Sequence, residues 1–155
     1  MAAFVSEQII DGILDRFERD PDSLANTYKE LAAEQPAVIA LLYSRDMHLL
    51  TEKELDLLFF IVAVVYRAFA TLGPVVEATR EALSRADEHN WERMLGMRKG
   101  SFRDRVTPFF ENYLQEDLLA FVEDSLVVDE DDFLTSIGRE VIFVTAKTVI
   151  DVWDG

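Results

Sequence analysis

Residues 55–73 read LDLLFFIVAVVYRAFATLG. From Leu57 to Tyr66 the Tyr hydroxyl is the only polar side-chain group, so no polar stripe recurs every three or four residues. A helix that is apolar all round belongs in a protein core or a membrane. The run lasts ten residues before Arg67, whereas a bilayer needs about 20, which favours a buried core helix. Ile61, Val62, Val64 and Val65 would also suit a buried strand, but length and capping favour a helix. Thr51 and Glu54 have capping-box spacing, each side chain satisfying a backbone N–H of the first turn. Gly73 is expected to close the helix in a left-handed conformation, and Pro74 cannot continue its ladder. The spacing therefore predicts a helix over residues 52–72, roughly 30 Å long at 1.5 Å per residue, with Leu57 to Ala70 largely inaccessible.

The flanks read as helices that cover it. Val5, Ile9, Ile10, Ile13, Leu14 and Phe17 recur at three and four residues, with acids between them, giving an amphipathic first helix. Asp20-Pro21 restarts the chain as cap and first helical position, and Leu24, Tyr28 and Leu31 form a narrow apolar stripe. After Gln35-Pro36, residues 37–43 read as a short buried helix and 44–50 as a connector. Beyond Pro74 a long helix is expected to about Leu95, followed by a loop, GMRKGS, with Ser101 and Asp104 capping a turn. Thr107-Pro108 is expected to start a helix whose core face is Phe110, Tyr113, Leu114, Leu118, Phe121 and Val122. The acidic run Asp129 to Asp132 is expected to cap a final helix over 133–153, with Phe133, Ile137, Val141, Val144, Thr148 and Trp153 inward. The expectation is one all-α domain over residues 1–155, a bundle of six or seven helices around a buried central helix.

Composition narrows function. The 155 residues are half hydrophobic, enough for a sizeable core. The absence of Cys removes thiol nucleophiles, Cys-ligated zinc, iron–sulfur clusters and disulfides, and fits a cytoplasmic location. The N-terminus lacks the basic region of a signal peptide. The formal net charge is −15, which disfavours binding to nucleic acid or an anionic membrane. Charge is uneven: five bases and one acid give +4 over residues 93–106, while two bases and twelve acids give −10 over 107–155.

Recognisable chemistry is sparse. His48 and His89 are the only histidines, and no Glu-x-x-His or His-Glu-x-x-His spacing occurs. The acidic run fails as a calcium loop, because Phe133 and Leu134 stand where an oxygen ligand and Gly are required. No cofactor and no metal site is expected. Gly96 to Ser101 has the wrong order for a phosphate loop. A basic island remains, with Arg98, Lys99, Arg103 and Arg105 as candidate anion-binding residues beside Arg93. The competing reading pairs these cations with the chain's own acids. Three functions follow: a non-enzymatic acidic helical protein acting through a protein partner or self-association; a binder of a small anion or phosphate-bearing ligand, with or without catalysis, using the loop at 93–105; and an acidic mimic of nucleic acid that occupies a basic partner through the −10 segment 107–155. An exposed apolar patch favours the first, a concave site holding Arg98 and Arg103 the second, and a stripe of exposed carboxylates the third.

Overall fold

The computed structural model describes residues 3–46, 49–97, 99–127 and 133–155. His48, Arg98 and the run 129–132 lie outside them. The fold is an all-α bundle, with no strand among the described residues. Among the described residues eight α-helices, where six or seven were expected, run as α1 (Glu7–Arg19), α2 (Pro21–Glu34), α3 (Pro36–Asp46), α4 (Glu52–Leu72), α5 (Arg80–Gly96), α6 (Phe102–Val106), α7 (Glu116–Leu126) and α8 (Ser136–Asp154). A 3-10 turn, Thr107–Phe110, lies between α6 and α7.

Helix α4 is the expected centre. Thr51 and Glu54 form the reciprocal capping box, and no residue from 57 to 70 is exposed. By length and composition alone α4 could cross a membrane (mean hydropathy 2.0); here it packs against α1, α2, α3, α7 and α8. Gly73 ends it at φ 155°, ψ −178°, extended rather than left-handed helical and still accessible mainly to Gly. The following chain is not yet helix. Residues 74–79 run non-helical because the buried Gln35 amide holds them, donating to the Val76 carbonyl (3.0 Å) and accepting from the Ala78 N–H (2.9 Å). Helix α5 therefore starts at Arg80, capped by Thr79.

A second core helix, α8, is buried on nearly all sides from Val141 to Ile150, more than a single inward face. It packs closely on α5, α4 and α7. Trp153 meets Tyr66 and Phe69 of α4 at ring-centre distances of 5.4 and 6.4 Å, and Phe143 meets Phe109 at 5.4 Å. Aromatic pairs at these edge-on geometries contribute beyond their buried area. The Tyr66 phenol, taken from water and bonded to Glu34 (2.8 Å), is pushed up to about 12, first by burial and then by that carboxylate.

Three expectations about the C-terminal half change. The helix expected from Thr107 is split, because Asn112 adopts φ 57° and Gln115 turns its amide to the N-terminus, accepting from the Val5 N–H (2.9 Å) and donating to the Ala3 carbonyl (2.9 Å). Leu114, Phe133 and Ile137 are exposed instead of inward. Helix α8 begins at Ser136, capped by Thr135; the acidic run assigned that cap lies outside the described residues. Helix α3, read as buried, turns Val38 and Leu42 into the core and leaves Tyr43 58% exposed.

Candidate functional site

The described arginines of the basic island turn to different partners. Arg93 stacks over Phe109 at 4.4 Å and donates to the Pro108 carbonyl at 3.2 Å. Arg103 turns to α7, with Nε 3.4 Å from Glu123 and Nη2 3.9 Å from Asp124. Arg105 pairs with Glu140 and donates to the Met97 carbonyl at 2.7 Å. Lys99 is exposed. A cleft of about 560 Å³ between Leu95 and Pro108 gathers Lys99, Asp104 and Arg105, without Arg103. The Asp104 N–H beside it and the neighbouring Ser101 N–H are already used, because Ser101 and Asp104 form a reciprocal capping box. Burial pushes the Glu123 carboxyl upward, against the pull of Arg103.

The densest polar chemistry lies elsewhere, at a place the sequence reading missed. Lys147, 4% exposed, donates to Asn90 Oδ1 (3.0 Å) and Asp151 Oδ2 (2.9 Å), and its ammonium sits 4.7 Å from the Tyr113 ring centre. Asp151 also accepts from the Tyr113 hydroxyl (2.5 Å) and from Asn90 Nδ2 (3.0 Å). Asn90 completes the set by donating to Thr148 (3.1 Å). Burial pushes Lys147 below the usual lysine range, with Asp151 pulling it back up; burial and Asp151 push the Tyr113 phenol upward. A nucleophilic lysine has a similarly depressed value, but it must be reachable, and this one is enclosed and bonded. The cluster clamps α5 and the Tyr113 segment onto α8. Lys147 and Asp151 at i, i+4 on one helix were the available sequence signal.

An open apolar groove of about 460 Å³ lies where α2, α3 and α4 meet. Tyr28 of α2, Ile39 and Tyr43 of α3, and Leu55, Asp56 and Phe59 of α4 line it. The half-buried Phe59 ring forms its floor, 6.4 Å from Tyr28 and 5.2 Å from Tyr43. Burial and the Asp56 charge push the Tyr28 phenol upward, so it remains a neutral hydrogen-bond donor. The groove exists because α3 is apolar on more faces than one short helix can cover: Val38 and Leu42 point inward, leaving Ile39 and Tyr43 on an open side. The absence of a polar stripe in AVIALLY was the sequence signal.

A contrasting surface lies on α1. Glu7, Asp11, Asp15 and Glu18 are all exposed at spacings of four, four and three, and Glu7 and Asp11 share a cleft of about 390 Å³ with Asp117 and Asp124 of α7. Among the described residues no three His, Asp or Glu side chains converge as a metal-binding group. No protein-family model, curated protein or solved structure matches this chain.

Proposed function

We propose that this protein acts by binding another protein, and that the α2–α3–α4 groove receives an apolar helix face of that partner flanked by Lys or Arg. The exposed Tyr43 ring, tilted against Phe59 at the mouth of an open apolar groove, carries the reading. Tyrosines that offer a rigid apolar ring with a polar tip are enriched where binding energy concentrates. An amphipathic helix laid into a groove is a recurrent recognition mode. Asp56 at the groove edge and a net charge of −15 favour a basic flank, chiefly through association rate and orientation. The internal pairing of Arg103 and Arg105 counts against the anion-binding loop.

The carboxylate stripe on α1 supports a second reading, an acidic mimic of nucleic acid that occupies a basic protein. One experiment separates the two. The protein is immobilised as parent, as Tyr43→Asp, and as the triple variant Asp11→Asn, Asp15→Asn, Asp117→Asn, and used to capture proteins from native extract at low and high salt. Tyr43, Asp11 and Asp15 are exposed and Asp117 is half-buried; Asn at 117 keeps an oxygen for the Glu7 N–H that Asp117 now accepts (2.9 Å), so the folds should persist. Groove binding predicts a partner that Tyr43→Asp loses and salt weakens little. Mimicry predicts a partner that the triple variant and high salt both release. A captured set identical across all three proteins overturns both readings.

A further inference from the structure

A cavity of about 430 Å³ opens between α1, α2 and the end of α4, distinct from the groove. Its character is unusual for so acidic a molecule. Arg16 of α1 and Arg67 of α4 both line it, against the single carboxylate of Glu30. Asn26 and Gln8 add neutral amides at its edge, and the buried Ile13 and Phe17 form an apolar wall.

Arg67 is positioned in advance. Its Nε and Nη2 both donate to Oγ1 of Thr27 (3.2 and 2.9 Å), and Nη2 lies 3.1 Å from Glu30. Thr27 is wholly buried and anchored in turn, donating to the Ser23 carbonyl at 2.8 Å. These contacts use one edge of the guanidinium and leave Nη1 without a hydrogen bond among the described residues. Arg16 forms no ion pair among the described residues, although acids outnumber bases two to one in the chain.

Gly12 supplies an independent observation. It lies in the interior of α1 and lines the same cavity. Glycine weakens a helix interior because it loses the most backbone freedom on folding. Three ordinary reasons for tolerating it are close approach of another segment, a positive φ and a helix end, and none applies: a Cβ built there meets nothing within 4 Å, its φ is not positive, and five residues of helix lie on its N-terminal side before the cap. What glycine does at this position is keep space open over an apolar wall beside two arginines.

We propose that this cavity binds a small organic anion, whose carboxylate or phosphate is held by Arg16 and Arg67 and whose apolar body lies over Ile13 and Phe17 in the space left by Gly12. Arginine forks suit both anions, and a cavity of this size is in the range of small-molecule sites. The site is independent of the protein-binding groove, and neither reading depends on the other.

The test uses hexanoate and hexyl phosphate as probes, with acetate, inorganic phosphate and hexanol as partial probes that lack the body or the charge. Binding is followed by calorimetry and by amide chemical shifts on the parent, Arg16→Gln and Gly12→Leu. Neither substitution touches the core, and Gly12→Leu should raise the melting temperature without ligand because it removes a helix glycine. The expected result is saturable one-to-one binding of at least one full probe to the parent, at least about tenfold weaker binding in Arg16→Gln, and loss of binding in Gly12→Leu. The partial probes should bind at least about tenfold more weakly than the full ones. Which full probe binds more tightly distinguishes a carboxylate from a phosphate ligand. Absence of saturable binding by either full probe, or equal binding in the parent and both variants, overturns the proposal.

Discussion

A methyl group on Gly138 would stand 1.9 Å from Oε2 of Glu54. That oxygen cannot swing aside without loss, because Glu54 is wholly buried and accepts from the Thr135 N–H (2.8 Å) and hydroxyl (2.9 Å) through Oε2 and from the Thr51 N–H (2.9 Å) through Oε1. One carboxylate thus caps its own helix and fixes the entry to α8, where the positive end of the helix dipole also favours it. Gly138→Ala should therefore destabilise the protein by about 3 kcal/mol, the upper part of the ordinary single-substitution range, read from urea midpoints. The acid limb tests the same contact. Burial by itself would raise the Glu54 carboxyl, but the hydrogen bonds from Thr51 and Thr135 outweigh it and hold it below its ordinary 4.5. A depressed carboxylate contributes stability above its unfolded value and loses it as pH falls through the folded one. Glu54→Gln should start less stable at neutral pH and lose less on acidification below about pH 4.5 than the parent.

Among the elements, α8 has the most at stake in its charges. Lys147 and Asp151 sit one turn apart in a helix that is buried nearly all round, so each justifies the other. Removing one partner of a buried pair leaves the other charge desolvated and alone, at about 3–5 kcal/mol. Lys147→Met should cost about that much. Adding Asp151→Asn removes the stranded charge while keeping an oxygen for the Tyr113 hydroxyl, and should recover about 1–2 kcal/mol. Equal stability of the single and double variants would mean that the charges do not act as a pair. Helix α3 is the opposite case. Its exposed side carries Tyr43, whose loss should leave the melting temperature nearly unchanged and alter only binding.

At the scale of the whole molecule, charge opposes compaction. Thirty acids face fifteen bases, and self-repulsion of that size destabilises the folded state. The exposed pairs that salt also weakens, such as Asp15–Arg19, contribute only about 0–1 kcal/mol each. Screening of the general repulsion should prevail. Raising sodium chloride from near zero to about 0.5 M, where the Debye length falls below about 10 Å, should raise the melting temperature at neutral pH. A steady fall with salt would mean that the ion pairs joining elements, such as Arg45–Asp87 at 2.5 Å and Arg105–Glu140, outweigh it.

The sequence by itself determined the helices whose ends are chemically marked. Thr51 and Glu54 start α4, Pro74 forbids its continuation, Ser101 and Asp104 cap α6, and the three-to-four-residue repeat from Val5 to Phe17 places α1. Each signal acts within one or two turns, where spacing alone decides which groups meet. What only the tertiary structure decided depends on residues far apart in the chain. Gln35 keeps 74–79 out of α5, and Gln115, at the cap of α7, turns its side chain to Val5. Glu54, legible as a cap of α4, also holds Thr135 in front of α8. The same holds for the candidate sites. Arg16, Gly12 and Arg67 share a cavity only because α1 lies across α4, and Tyr43 is exposed only because Val38 and Leu42 fill the room beneath α3. Periodicity says which residues are able to be buried; the area available between packed helices decides which of them are.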